Sequence, residues 1–142
     1  MEEVVMEKVS IEELLPQARP FIMVDELTEY EPEEAETSFT VREDSPLVCD
    51  GVLSTGGLVE NIAQTSAARI GYYYKYVLRQ PVKVGFIGAM RSFQVKRHPR
   101  VGETIRTRIH VIAEAFGMVA FAATVHDADG VQIARAEMKT AE

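Results

Sequence analysis

The stretch from Ser54 to about Arg79 constrains the fold more than any other part of the chain. Apolar residues recur at Val59, Ile62, Ala63, Ala67, Ile70, Tyr74, Val77 and Leu78, the three-and-four spacing of one helical face, and Pro81 ends the pattern. Roughly 25 residues at about 1.5 Å each make a rod of nearly 40 Å, as long as a small domain is wide. The rest of the chain must therefore pack around it. A second strip, Glu60, Gln64, Ala67, Ala68 and Gly71, carries one carboxylate, one amide and then only small side chains. Such a strip predicts the close approach of another backbone or of a thin ligand.

With 142 residues, 46% of them hydrophobic and 26% charged, the chain suffices for one globular domain over residues 1–142 and not for two. No apolar run is long enough to cross a bilayer, and the opening Met-Glu-Glu-Val-Val-Met-Glu lacks the basic start of a signal peptide, so a soluble cytoplasmic protein is expected. The single cysteine, Cys49, excludes an internal disulfide and any multi-cysteine metal site. Nothing in the sequence asks for a cofactor or a metal. The net charge of -7 conceals an asymmetry: residues 1–60 hold sixteen acids against Lys8, Arg19 and Arg42, whereas residues 61–102 hold no acid and eight bases. Those bases are Arg69, Lys75, Arg79, Lys83, Arg91, Lys96, Arg97 and Arg100. Either they are solvated positions that balance the acidic first third, or they form a landing site for an anionic partner. The acidic remainder argues against nucleic acid. An acidic carrier protein or the phosphates of coenzyme A would fit.

In chain order, Ser10-Ile-Glu-Glu13 reads as a capping box that opens a short helix ending before Pro16. Residues 21–30 read as a strand, Glu31-Pro-Glu-Glu34 as a turn, and Ala35 to Arg42 as the returning strand of a hairpin. Residues 43–51 are irregular and lead into the long helix. Val82 to Val95, Thr104 to Glu114, Met118 to His126 and Val131 to Lys139 read as four further strands, with Asp129-Gly130 as the turn before the last. An antiparallel sheet wrapped around one central helix, an α+β architecture, is the economical arrangement of these elements.

That layout, with specific residues in it, resembles the hotdog-fold beta-hydroxyacyl-acyl carrier protein dehydratases. Leu15-Pro-Gln-Ala-Arg-Pro-Phe-Ile-Met-Val-Asp25 is similar, without a gap, to that family's Leu-Pro-His-Arg-x-Pro-Phe-Leu-Leu-Val-Asp. Glu60-Asn-Ile-Ala-Gln64 resembles its Glu-Ala-x-Ala-Gln on the central helix. Phe86-Ile-Gly88, Phe93 and Arg97-His-Pro-Arg-Val-Gly-Glu103 resemble the phenylalanine, glycine and Arg-x-Pro-Val-x-Pro-Gly-Asp run of its third strand and turn. The resemblance implies a hotdog fold, a homodimer or an oligomer of dimers, and acyl thioesters of acyl carrier protein or coenzyme A as substrates, in fatty acid or related lipid and polyene synthesis. It implies Glu60 as the acid and Gln64 as its supporting amide, with Phe86 and Gly88 beside the substrate; the charge asymmetry adds Arg91, Lys96, Arg97 and Arg100 as the expected surface for the carrier.

One element departs from the family. Its Gly-His-Phe-Pro-Gly loop, whose histidine removes the alpha proton, is here Asp44-Ser-Pro-Leu-Val-Cys-Asp-Gly51, and Pro46 stands fourteen residues before Glu60. Abstracting a thioester alpha proton takes a positioned base together with donors for the developing enolate oxygen. Gly56, Gly57 and Leu58 are candidate donors, because the first amides of a helix lack internal partners and glycines admit a carbonyl closely. The same glycines also suit a tight turn, and a first-turn carboxylate such as Glu60 also complements the helix dipole. His98, His110 and His126 read as solvated surface histidines, and Cys49, with no histidine near it in sequence, as a small apolar residue. Three readings stay open: a dehydratase-like enzyme using Glu60 with another base, a hotdog thioesterase in which Glu60 is nucleophile or general base, and a non-catalytic partner subunit of an active dehydratase.

Overall fold

The computed structural model describes residues 10–82 and 86–141 and, at Phe86 and Ile87, the backbone alone. One long helix, α1 (Thr55–Tyr72), packs against a six-stranded antiparallel sheet. The strands are β1 (Glu26–Glu31), β2 (Glu34–Thr40), β5 (Phe86–Val95), β6 (Thr104–Ala115), β7 (Met118–His126) and β8 (Gln132–Ala141), in the spatial order β1-β2-β6-β7-β8-β5. The short strands β3 (Val48–Cys49) and β4 (Val52–Leu53) pair with each other and deliver the chain to α1. This is the hotdog architecture.

Burial alternates along the strands as the period of two requires: Ile105, Thr107 and Ile109 of β6 and Val119, Phe121, Ala123 and Val125 of β7 are buried, with exposed or half-buried residues between them. These inward positions, with Phe39, Ile133, Ala136 and Met138, make the core on which the helix lies. Arg106, Arg108 and His110 occupy the other face of β6, facing Glu36, Glu29 and Glu34. The acidic first third of the sequence is thus neutralised in part by the bases of β6.

Ser54 caps α1, its hydroxyl accepting from the Gly57 N–H at 3.1 Å. Past Tyr72 the helix widens into a π turn, Tyr73–Val77, with the Leu78 N–H on the Tyr73 carbonyl, and helical hydrogen bonding ends there, three residues before Pro81. The stripe that meets the sheet is more polar than the spacing of Val59, Ile62, Ala67 and Val77 suggests. Asn61 faces Thr107 of β6, Thr65 faces Thr37 of β2, and Tyr72 stacks on Tyr30 of β1, whereas Val77 and Leu78 are exposed. Paired donors and acceptors let these polar side chains lie fully buried in place of aliphatic ones.

The strip of small residues is filled by the chain's own N-terminal segment. A Cβ at Gly71 would stand 2.6 Å from the Leu14 carbonyl oxygen, so the glycine allows that backbone to lie directly on the helix. The expected capped helix at Ser10 is only a 3-10 turn, Ile11–Glu13, and the Ser10 side chain makes no capping bond. The first strand begins at Glu26 and not at Phe21, because the Phe21 carbonyl and both backbone groups of Met23 bond to side chains of α1. The strand expected from Val82 begins at Phe86, residues 83–85 lying outside the described residues.

Candidate active site

The site is built on the first three turns of α1 and on the two segments that flank them. Gln64 is fully buried and uses all of its hydrogen-bonding groups. Its Oε1 accepts from the Met23 N–H at 2.6 Å, and its Nε2 donates to the Phe21 carbonyl at 2.9 Å and to Glu60 Oε2 at 3.0 Å. One turn away, Asn61 Nδ2 donates to the Met23 carbonyl at 2.7 Å while its Oδ1 accepts from the Thr107 hydroxyl. Both peptide groups of Met23 are therefore bound to the helix. Because its carbonyl oxygen serves a backbone N–H and its amide nitrogen a backbone carbonyl, the Gln64 amide cannot reverse without breaking both. Glu60 Oε2 thus accepts an N–H, and Oε1 has no partner among the described residues. Glu60 itself is half-buried.

The donors at the helix start differ from those expected. The Gly57 N–H is taken by Ser54 Oγ and the Leu58 N–H by the Ser54 carbonyl at 3.0 Å. Gly57 lacks a side chain for packing reasons: a Cβ would collide with Leu53 and lie 3.3 Å from Leu47 Cβ. The amides with no partner among the described residues are those of Thr55 and Gly56, both exposed, and only Ser54 Oγ lies near a Cβ built on Gly56, at 3.8 Å. Thr55 is a donor that the sequence reading missed, hidden because capping use depends on where the N-cap falls. Asn61 was missed as well, since a single asparagine inside an apolar helix has no spacing signature.

The flanking turn at residues 97–102 packs on the hairpin that enters α1. The Leu53 N–H donates to the Pro99 carbonyl at 2.8 Å, the Val101 N–H to the Gly51 carbonyl at 3.0 Å, and His98 Nδ1 lies 3.0 Å from the Leu53 carbonyl. His98 is thus half-buried against the helix entrance and not a solvated surface residue. Arg97 clamps this turn, donating to both oxygens of Glu103 at 2.9 and 2.7 Å and to Asp127 Oδ2 at 3.0 Å. The guanidinium holds the Glu103 carboxyl below its ordinary value. Asp127 is held low chiefly by the Val131 amide and then by Arg97, and both carboxylates push the Arg97 pKa up in return.

The cationic segment is partly spent on such internal pairs. Arg69 binds the Pro32 carbonyl, Lys75 binds Glu13, Arg91 binds Glu137 across β5 and β8, and Arg97 is committed to its two acids. Lys96 and Arg100 are exposed and without a side-chain partner among the described residues. The Val52–Arg100 bridge sets Arg100 at the helix entrance. Gly88 lies where the β5 register shifts, exposed, and the Phe86 side chain lies outside the described residues. Cys49 is exposed in β3 with its thiol 3.8 Å from Asp50, and Pro46 is exposed in the loop before it. Among the described residues no cluster of three metal-ligating side chains is present, and no helix is long and apolar enough to cross a membrane.

A family model described as ApeP-like, ApeP dehydratase, matches residues 9–142. The chain belongs to the ApeP-like dehydratase family. No curated protein matches its sequence. Among solved structures, the ApeP-like chain is similar to one from the dehydratase heterocomplex ApeI:P of Xenorhabdus doucetiae, with a TM-score of 0.87, 15% identity, and coverage of 96% of this chain and 92% of that one. It is similar to a hypothetical thioesterase with coenzyme A from Streptococcus pneumoniae, with a TM-score of 0.66, 11% identity and coverage of 82% and 83%. A Streptococcus mutans protein bound to acetyl CoA gives a TM-score of 0.68, 15% identity and coverage of 89% and 94%. At these identities the likeness of an ApeP-like chain to its neighbours is one of fold.

Proposed function

We propose that this ApeP-like protein acts on 3-hydroxyacyl thioesters, carried by an acyl carrier protein or coenzyme A, and that Glu60 is its proton-transfer carboxyl in the removal of water. The observation that carries this reading is the fixed Gln64 amide. It occupies Glu60 Oε2 and leaves Oε1 as the working oxygen, so a proton on Oε1 can pass to the departing 3-hydroxyl group. The free N–H groups of Thr55 and Gly56 supply the second requirement, donors for a thioester oxygen that gains negative charge as the alpha proton leaves. Lys96 and Arg100 meet the phosphate of the carrier or of coenzyme A. An antiparallel pairing of two chains along a sheet edge, β1 or β5, completes the reading as a dimer.

The test offers purified protein 3-hydroxyacyl and saturated acyl thioesters, alone and with a second dehydratase from the same genome. Water loss that disappears in Glu60→Gln supports the reading; release of free thiol that disappears equally supports a thioesterase. A second reading is favoured by Pro46 in the place of the family's histidine and by the likeness to a chain from a dehydratase heterocomplex. In it the chain is one subunit of a mixed dehydratase, and turnover needs the second protein.

A further inference from the structure

We propose that the outer face of the sheet, at the end capped by the β6–β7 hairpin, docks against the same face of a second copy of this chain, with Phe116 as the anchor. The inference is independent of the thioester chemistry and of a pairing along a sheet edge.

The alternation of burial in β6 ends at Val111, and residues 112–118 are all exposed. Five of these seven are apolar, Ile112, Ala113, Ala115, Phe116 and Met118, with Phe116 fully exposed, Ile112 57% and Met118 44% exposed. Directly opposite residues of paired strands share a face, so the register sets Ala113, Ala120, Lys139 and Ala89 in one row across β6, β7, β8 and β5, away from the helix. Ala115, Met118 and Ala141 form the next row toward the tip, and Ala122 lies between His110 and Glu137 in the row behind. Alanine is depleted in strands; what it gives here is a flat floor on which no side chain stands up. A trough of about 460 Å³ lies over that floor, and an adjoining one of about 250 Å³ shares Ala113, Ala120 and Lys139 and reaches Phe116 and Met118. A contiguous apolar patch of this kind on a sheet face marks an interaction surface.

The turn at the tip gives a second, independent indication. Ala115 pairs with Met118, which leaves a two-residue turn with both φ angles positive, 54° at Phe116 and 74° at Gly117. Asparagine, aspartate or glycine fits the first position of such a turn, and a bulky side chain is seldom held there. A phenyl ring that is unfavourable for its own backbone and buried by nothing in its own chain is offset by a contact outside it.

The charges and the shape favour a second copy as the occupant. Arg91 and Glu137 pair with each other at 2.9 Å, and Lys139 is the one charge of the alanine rows, without a side-chain partner among the described residues. A nearly neutral shelf does not suit an acidic carrier or an anionic membrane surface. The patch instead holds both a projecting apolar group and the hollow to receive one, the property that a two-fold axis turns into self-complementarity. An axis lying across the strands, between the two alanine rows, sets Met118 of each copy over Ala120 of the other and Phe116 beyond it, over Ala122. Stacked sheets stand about 10 Å apart, and an aromatic side chain facing alanine fills that gap.

The test measures the mass of the whole protein by sedimentation velocity and native mass spectrometry, against the variants Phe116→Asn and Ala120→Arg. Asparagine suits the positive φ of the turn, so the first variant loses the ring without straining the hairpin; arginine raises a side chain from the floor on the solvent face. We expect the wild type to hold an even number of copies and each variant half that number, with an unchanged far-UV circular dichroism spectrum. Four copies falling to two supports the shelf together with a pairing along a sheet edge, and two falling to one supports the shelf alone. Variants that keep the wild-type mass overturn the proposal. So does a wild type that is no larger than its variants, and in that case vesicles of phosphatidylcholine, or a second dehydratase from the same genome, that hold the wild type and not Phe116→Asn would identify a different occupant.

Discussion

Replacing Asn61 by alanine should destabilise the protein far more than an ordinary helix substitution. The side chain is fully buried and joins α1 to residues 21–24 through the Met23 carbonyl and to β6 through Thr107. Alanine leaves that carbonyl and that hydroxyl buried without partners, at about 1–3 kcal/mol each, and gains back only about 0.6 kcal/mol of helix propensity, for a net loss of about 1.5–5.5 kcal/mol. Thr107→Val alone orphans one acceptor, Asn61 Oδ1, and should cost about 1–3 kcal/mol. In the Asn61→Ala background the Thr107 hydroxyl is already unpaired, so removing it should cost little or restore stability. The double variant should then fall short of the sum of the singles by about 1–3 kcal/mol. Urea titration at constant m measures all four proteins. Strict additivity, or an Asn61→Ala loss under about 1 kcal/mol, would refute the reasoning that this network holds the site segment to the helix.

Three further outcomes follow from the packing and the charges. Gly71→Ala should lower stability despite a propensity gain of about 1 kcal/mol, because its Cβ meets the Leu14 backbone and overpacking costs about 1–3 kcal/mol; Gly56→Ala, whose Cβ meets only Ser54 Oγ at an ordinary 3.8 Å, should not, and the midpoints of thermal unfolding decide. Glu103 and Asp127 have folded-state pKa values below their unfolded ones, so their contribution is complete above the unfolded carboxylate range and is lost as pH falls through the folded values. Arg97→Met should therefore destabilise the protein at neutral pH, with the difference from wild type shrinking in acid, read from denaturation midpoints across pH. Reversing Lys96 and Arg100 together to glutamate should weaken carrier binding and flatten its salt dependence without loss of fold, whereas reversing Arg97 would unlock its turn; an unchanged affinity at low salt would leave these residues as ordinary surface charges.

The helix and most strands were legible because their signals are local. The Ser54 cap, the spacing to Tyr74 and the period-two alternation of residues 104–126 each follow from neighbours within a few positions. The composition of residues 21–24 suits a strand, but Phe21 and Met23 bond to Gln64 and Asn61, about forty positions away. The Glu60–Gln64 pair was visible as an i, i+4 contact on one helix face. His98 was not, because its place beside Leu53 depends on a turn forty-five positions distant that folds back on the helix entrance. Likewise the run of bases suggests one cationic surface, but Glu137 opposite Arg91 lies on β8 and Asp127 opposite Arg97 in the turn after β7, and no spacing reveals that β5 pairs with β8 or that this turn meets Arg97.

The most direct test of the account is the dehydration rate of the wild type against Glu60→Gln on a 3-hydroxyacyl thioester, with binding of a probe, a 3-hydroxyacyl pantetheine whose thioester is replaced by an amide, measured on both. Glutamine keeps the size of the side chain and an oxygen for the Gln64 amide while removing the exchangeable proton. The account predicts probe binding within a few-fold of wild type and a rate lower by about 100-fold or more. A Glu60→Gln protein that dehydrates at the wild-type rate would contradict it.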